Sequence, residues 1–164
     1  MDVSPQVTQR AAQPYAGISG WVTMATIGSV AHRIPEVFGW LGAHGVAPAG
    51  PPFFRYHVVD MERQLQVEVG VPVASAIEDD SEIRAGTLPA GRFAVMTHTG
   101  APDTLAAATA HLLDWSQARG LEFDRSRTEA GERWGCRLEF YLTNPAEEPD
   151  LSKWETQLAF RLAG

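Results

Sequence analysis

The residues best suited to chemistry are a carboxylate and a phenol, Glu139 and Tyr141, which lie two positions apart in an apolar stretch from residue 134 to 144. Side chains of a β-strand alternate between its two faces, so this stretch predicts a strand with one apolar and one polar face. The apolar face is predicted to comprise Trp134, Cys136, Leu138, Phe140 and Leu142. The polar face is predicted to comprise Arg137, Glu139 and Tyr141.

Glu139 is the residue most suited to recognition or catalysis in this chain. A carboxylate beside aromatic rings attracts cations, and a carboxylate can also act as a general base on water. A neighbouring phenol such as that of Tyr141 can orient a substrate or stabilise developing charge. The alternative is that Glu139 belongs to the solvated face of an ordinary antiparallel strand.

The composition predicts one acidic domain with an apolar core. The chain has 164 residues, 45% of them hydrophobic, and a formal net charge of −7 from 13 basic and 20 acidic side chains. This length fits a single compact domain. Because nucleic-acid binding depends on neutralising phosphates with basic side chains, we expect no direct nucleic-acid partner.

The sequence lacks the usual signals for a membrane, a metal or a cofactor. Its N-terminus has no signal-peptide pattern and no run is long enough to span a membrane, so we expect a cytoplasmic protein. The single cysteine, Cys136, cannot form an internal disulfide and is interpreted as a core residue. The five histidines include no pair at metal-site spacing and no phosphate-binding glycine motif is present, so we expect neither metal nor cofactor.

The chain divides into a short arm and one domain. Residues 1–13 are polar and aperiodic, which predicts a flexible N-terminal arm with no room for a helix-turn-helix. Residues 14–164 are predicted to form the domain. The stretch from Glu78 to Glu82 carries four carboxylates and no apolar periodicity, so it is interpreted as a solvated acidic linker.

The domain itself reads as two similar halves, at about 14–73 and 88–162. Each half carries the same order of predicted elements, which is a strand, a helix, a loop and two strands. The helices also repeat in sequence, since Trp40 and Trp115 lie 75 residues apart. The pattern predicts an α+β fold of duplicated βαββ units with pseudo-twofold symmetry, in which helices pack on a mostly antiparallel sheet.

The seam between the halves collects the aromatic candidates for a binding site. Matching the two hairpins makes Tyr56 a rough counterpart of the strand carboxylate. Equivalent residues approach each other around a pseudo-axis, so Trp40 and Trp115 are predicted at the seam, although aromatic residues on a helix stripe also serve the core. Phe38 fits either the core or the pocket wall, and Trp154 fits either the groove mouth or an anchor for the last strand.

Four short motifs follow one another on this frame. They are Pro-Phe-Phe-Arg-Tyr-His at 52–57, Val-Glu-Val-Gly-Val-Pro-Val at 67–73, Leu-Pro-Ala-Gly-Arg-Phe-Ala-Val at 88–95 and Leu-Glu-Phe-Tyr-Leu-Thr-Asn-Pro at 138–145. Over about residues 14–162 the chain resembles the GyrI-like (gyrase-inhibitor-like) domains, which also form the effector-binding halves of multidrug-responsive transcription activators. The resemblance implies an aromatic groove between the halves, with a strand glutamate at its base, that accepts flat, lipophilic and often cationic molecules. Glu139 matches that glutamate.

We therefore expect a stand-alone binding protein for lipophilic, often cationic or polyaromatic compounds. Its predicted ligand-binding residues are Glu139, Tyr141, Trp115, Trp40, Phe38, Tyr56 and Trp154. Some relatives in the family hydrolyse strained, cyclopropane-bearing compounds, so the alternative is a hydrolase with Glu139 as general base and Tyr141 beside it. A protein partner docked on the acidic surface is a third possibility that no motif supports. The sequence lacks the DNA-binding domain of the family's regulators, so that role is not carried over.

Overall fold

A computed structural model describes residues 2–80 and 82–163 of the chain. Its strands are β1 (Val3–Arg10), β2 (Gln13–Val22), β3 (Phe53–Val59), β4 (Leu65–Pro72), β5 (Arg84–Leu88), β6 (Gly91–Thr99), β7 (Arg125–Thr128), β8 (Gly131–Trp134), β9 (Arg137–Tyr141) and β10 (Glu155–Arg161). Its α-helices are α1 (Gly28–Ala31), α2 (Ile34–Ala43) and α3 (Leu105–Ala118). None of the helices in this part of the chain has the length and apolar character of a membrane-spanning segment.

The strands form one antiparallel sheet with β3 and β9 side by side at its middle. The order across the sheet is β1-β6-β10-β9-β3-β4-β2-β5, and β8 pairs with the far end of β3 and with β7. Outward from the middle, the first half contributes β3, β4 and β2, and the second half contributes β9, β10 and β6. The strands of each half therefore follow the same order. The predicted α+β class, with helices on a mostly antiparallel sheet, is confirmed. Superposition of the two halves stays a prediction.

The helices cover one face of the sheet, and each buries an apolar stripe there. Val37 and Leu41, four residues apart on α2, pack with strand residues of β2, β3 and β4, and we call this group the α2 cluster. Ala108 and Leu112, four residues apart on α3, pack with strand residues of β6 and β10, and we call this group the α3 cluster. Pro35 lies in the first turn of α2, where its missing N–H interrupts no helical hydrogen bond.

The opposite face of the sheet holds a third buried cluster built around Phe53. The Phe53 ring lies 5.0 Å from the Tyr15 ring and 5.7 Å from the Phe140 ring, between ring centroids, in edge-to-face arrangements. Cys136 is fully buried in the same cluster, and burial raises the pKa of its thiol to about 11. The interpretation of Cys136 as a core residue is therefore confirmed.

The N-terminal segment differs from the prediction, because residues 3–10 form strand β1 instead of a flexible arm. β1 pairs antiparallel with β6, and the Asp2 carboxylate accepts a 2.8 Å hydrogen bond from the Thr99 backbone N–H. The strand is mostly exposed, as expected at a sheet edge, and its partner lies about 90 residues away in the sequence. A polar edge strand has little local apolar signal, so its long-range pairing was not visible in the sequence. Met1 of the predicted arm and Ser81 of the predicted acidic linker lie outside the described residues.

Gly70→Ala is expected to destabilise the fold, because a Cβ at residue 70 would lie 2.5 Å from the fully buried Phe53 ring. Overpacking of this kind costs about 1 to 3 kcal/mol of unfolding free energy. The matched control is Gly39→Ala in α2, where no atom apart from neighbouring residues and the helix backbone lies within 4 Å of the added carbon. That change should stabilise the protein by about 0.5 to 1 kcal/mol. Urea denaturation measures both, and a Gly70→Ala protein as stable as wild type would contradict the packing described.

Candidate functional site

The apolar stretch at 134–144 is interrupted, and the interruption changes which face its first residue occupies. β8 ends at Trp134 and β9 begins at Arg137, with the Gly135 N–H donating a 2.8 Å hydrogen bond to the Asp124 carbonyl. Trp134 consequently packs in the α3 cluster, with its ring centroid 5.6 Å from that of Phe160. The prediction that Trp134 shares a face with the apolar residues of β9 is therefore wrong.

The other four residues of the predicted apolar face differ in burial. Cys136, Leu138 and Phe140 lie together in the cluster around Phe53, as predicted. Leu142 follows the end of β9 and is 43% exposed, so its assignment to a buried face is wrong. The alternation rule holds from Cys136 through β9 and fails at Trp134 and Leu142, which lie outside the regular strand.

Glu139 lies on the helix-bearing face at the junction of the two helix clusters. Its cross-strand neighbours are Phe54 on β3, a member of the α2 cluster, and Leu158 on β10, a member of the α3 cluster. Its exposed fraction is 9%, so it is buried and does not belong to a solvated strand face. The pairing of β3 with β9 thus places a carboxylate between the two halves of the sheet.

Two phenols supply hydrogen bonds to this carboxylate. The Tyr141 hydroxyl donates to Oε1 at 3.1 Å, and the Tyr56 hydroxyl donates to Oε2 at 3.3 Å. Tyr141 comes from the same strand two residues on, whereas Tyr56 comes from β3 across the pairing with β9. The structure therefore joins three of the predicted ligand-binding residues in one hydrogen-bonded group, Glu139 with Tyr56 and Tyr141, which we call the carboxylate group.

Burial dominates the electrostatics of the carboxylate group. Removal from water raises the pKa of Glu139, and the Tyr141 hydrogen bond, the positive charge of Arg137 and the Tyr56 hydrogen bond only partly offset that effect. Burial and the nearby Glu139 charge also raise the pKa values of Tyr56 and Tyr141, so both phenols stay protonated donors at neutral pH. The arrangement can hold a counter-charge, accept a proton or orient a polar ligand atom.

The tryptophans and Phe38 have contacts elsewhere. Trp40 donates a 2.8 Å hydrogen bond to the Asp80 carboxylate and stacks on His44, while Trp115 packs against the α3 cluster with the Arg119 guanidinium 4.2 Å from its ring centroid. Trp154 donates a 2.8 Å hydrogen bond to the Glu148 carbonyl, and Phe38 is 39% exposed. Among the described residues, no hydrogen bond or ion pair joins any of these four to Glu139, and their role in ligand binding stays a prediction.

A second buried carboxylate, Glu68, belongs to the opposite face of the sheet. Its Oε1 accepts a 2.6 Å hydrogen bond from the Tyr15 hydroxyl and lies 2.8 Å from His57 Nε2. Arg55 adds a 3.1 Å hydrogen bond from Nη1 to the same hydroxyl. Glu68 pairs across the strands with Arg55, whereas Glu139 pairs with Phe54, the residue before Arg55 on β3. Adjacent residues of a strand point to opposite faces of the sheet, so the two carboxylates cannot act in one site.

Two open surface cavities lie away from the carboxylate group. One of about 330 Å³ is lined by Trp21 and Arg63, and another of about 450 Å³ lies between β1 and α3 beside His98 and His111. Glu139 lines neither cavity.

Comparison with known proteins gives a consistent family and fold. The GyrI-like small molecule binding domain matches residues 4–163 of the chain. The fold is similar to that of the EcmrR C-terminal domain, with a TM-score of 0.78, 18% identity, and coverage of 98% of this chain and 97% of that one. The EcmrR chain in a complex with DNA gives a TM-score of 0.76 and 17% identity, and 97% of this chain aligns with 57% of that longer chain.

Two further structures share the fold. SAV2435 bound to tetraphenylphosphonium gives a TM-score of 0.65 and 12% identity, with coverage of 99% of this chain and 95% of that one. A hydrolase from Listeria innocua gives a TM-score of 0.61 and 13% identity, with coverage of 98% and 92%. At such identities the likeness shows the fold alone. No curated protein matches the sequence.

The raised pKa of Glu139 predicts that its contribution to stability is lost as pH rises. The unfolded chain loses this proton near the ordinary value of about 4.3, whereas the folded chain keeps it to higher pH. Stability from this group is therefore fully present below the ordinary pKa and falls as pH rises through the folded pKa. Glu139→Gln removes the effect, so the unfolding free energy of this variant should increase relative to that of wild type as pH rises above about 4.

Glu155→Gln is the control for this measurement, since Glu155 is an exposed glutamate on the neighbouring strand β10. Its unfolding free energy should follow the wild-type pH dependence. Chemical denaturation at several pH values measures all three proteins. Identical pH dependence in wild type and Glu139→Gln would mean that Glu139 is not buried as described.

Proposed function

Because the chain belongs to the family of GyrI-like small-molecule-binding domains, we propose that it binds lipophilic, often cationic or polyaromatic compounds in a groove with Glu139 at its base. One observation carries the proposal, which is a buried carboxylate between the two helix clusters with phenol hydroxyls as its hydrogen-bond donors. The aromatic walls of the groove are proposed to include Tyr56, Tyr141 and Trp115. Trp40, Phe38 and Trp154 complete the proposed lining.

The energetics of Glu139 support a role in binding over a purely structural one. Burying a carboxylate is unfavourable unless a cation or strong donors replace its water shell. Among the described residues no ion pair joins Glu139 to a basic group, and its partners are the neutral phenols of Tyr56 and Tyr141. Perturbed, incompletely compensated groups of this kind concentrate at functional sites. A ligand with positive charge or hydrogen-bond donors would supply the missing compensation.

The proposed ligand class follows from this chemistry. An aromatic ring attracts a cation by about 0.5 to 2 kcal/mol, and a carboxylate about 4 Å away adds up to about 4 kcal/mol at an effective dielectric near 20. Stacking and a single charge demand no fixed hydrogen-bond geometry, so selectivity is expected to be broad. The neighbour SAV2435 is bound to tetraphenylphosphonium, which is a lipophilic cation with aromatic rings.

A hydrolase is the second candidate, and the raised pKa of Glu139 favours it because a base poised nearer neutrality transfers protons efficiently. In this reaction Glu139 accepts a proton from water while the water oxygen bonds to a carbon of a strained ring. The ring carbon–carbon bond breaks, and the proton passes to the carbon that is released. Tyr141 orients the substrate beside the carboxylate. The Listeria innocua neighbour is described as a hydrolase, which makes this candidate worth testing.

Glu139→Gln is expected to weaken the binding of a flat cation such as N-methylacridinium by about 1 to 3 kcal/mol. The substitution keeps the shape of the side chain and removes its charge, so binding of the neutral analogue N-methylacridone should change much less. Fluorescence titration of each ligand into wild type, Glu139→Gln and the exposed control Glu155→Gln measures the effect. Equal losses for both ligands, or no loss for either, would show that the charge of Glu139 does not contribute to ligand binding.

A further variant tests the aromatic wall, and a product assay separates binding from catalysis. Trp115→Ala should weaken both ligands alike, because it removes stacking surface and no charge. Incubation with cyclopropane-bearing electrophiles, followed by mass spectrometry of the products, tests the hydrolase. The enzyme is favoured if wild type forms product and Glu139→Gln binds the ligand without forming product. If wild type forms no product, the hydrolase is excluded and the binding function stands.

A further inference from the structure

Arg137 is a buried cation on the same strand face as Glu139. It lies two residues before Glu139 on β9, about 7 Å away along the strand, and pairs across the sheet with Phe160 on β10. Its exposed fraction is 8%. Arginine is rarely buried to this extent unless a carboxylate or hydrogen-bond acceptors replace the lost water.

Three aromatic rings surround the Arg137 guanidinium. Its central carbon lies 5.1 Å from the ring centroid of Tyr56, 4.9 Å from that of Trp134 and 4.8 Å from that of Phe160. These distances are those of cation–π contacts. We call the three rings the arginine cage. They come from β3, β8 and β10, so the cage forms only when the central strands are paired.

Hydrogen bonding of Arg137 is incomplete inside this cage. Its Nε is buried without an acceptor, and no hydrogen bond or ion pair joins its side chain to another described residue. Arg55 on the neighbouring strand is buried to the same degree but donates from both terminal nitrogens, to the Tyr15 hydroxyl and to the Gly135 carbonyl. The Nε of Arg55 is likewise buried without an acceptor, but its terminal nitrogens are used by the fold. The terminal nitrogens of Arg137 have no acceptor among the described residues, so they can donate to a ligand.

Tyr56 belongs to both the arginine cage and the carboxylate group. Its hydroxyl donates to Glu139 while its ring lies against the Arg137 guanidinium. A cationic ligand that approaches Glu139 therefore meets an aromatic ring that already interacts with a cation. It also comes under the positive charge of Arg137, two residues from Glu139 on the same strand face, so repulsion by Arg137 opposes attraction by Glu139.

We propose that Arg137 is a specificity-determining residue of the groove, which disfavours permanent cations and selects flat ligands that offer a carbonyl or carboxylate oxygen to its guanidinium. The planar fork of a guanidinium binds such oxygens with two parallel hydrogen bonds. The favoured ligands are thus neutral or zwitterionic aromatic compounds with an acceptor group. This inference rests on the proposed function and narrows its ligand class.

Arg137→Gln tests the proposal with N-methylacridinium and N-methylacridone, which share a three-ring skeleton and differ in charge and in the carbonyl acceptor. Loss of the guanidinium charge should strengthen N-methylacridinium binding about fivefold or more, and loss of the fork should weaken N-methylacridone binding by a similar factor. Arg137→Lys keeps the charge, so it should weaken the acridone without strengthening the acridinium. Arg133→Gln, an exposed arginine on β8, is the control for the change in net charge.

The outcomes separate this inference from the proposed function. Opposite shifts for the two ligands in Arg137→Gln, absent in Arg133→Gln, support it. If Glu139→Gln weakens the acridinium but Arg137→Gln changes both ligands less than twofold, the inference is wrong and the proposed function stands. If neither Glu139→Gln nor Arg137→Gln alters either ligand, both are wrong. Circular dichroism checks folding, and Arg137→Met, with a similar apolar stem, replaces Arg137→Gln if the latter does not fold.

Discussion

The burial of Glu139 is the constraint on which the rest of this site depends. A carboxylate at the middle of an antiparallel sheet loses its water shell, and only hydrogen bonds from two phenols and the nearby charge of Arg137 replace it. An apolar side chain at this position would avoid that cost. We therefore propose that this carboxylate serves a function that uses its charge or its basicity. The two tyrosines fix the orientation of the carboxylate through their hydrogen bonds.

The sheet topology explains why these groups meet. β3 and β9 come from different halves of the chain and lie side by side, so Phe54 and Glu139 become direct neighbours. The two helix clusters pack on either side of this pairing. Glu139 therefore lies where the two helix clusters meet, and only a small part of its side chain is exposed.

Much of the carboxylate group could be predicted because it depends on local alternation. The period of two places Glu139 and Tyr141 on one face, and matching the hairpins relates Tyr56 to them. The same reasoning failed for Trp134, since Gly135 interrupts the strand where the chain hydrogen-bonds to Asp124. The arginine cage was also invisible in the sequence, because its rings lie on three strands whose pairing is long-range. β1 was missed for the same reason.

A crystal structure of the protein with bound N-methylacridone tests the central claim most directly. The account predicts the ligand on the helix-bearing face over β3 and β9, with its atoms within about 4 Å of the Glu139 carboxylate and the Tyr56 ring. A ligand seated in the cavity between β1 and α3, or beside Glu68 on the opposite face, with the hydrogen bonds of Glu139 to Tyr56 and Tyr141 unchanged, would contradict it.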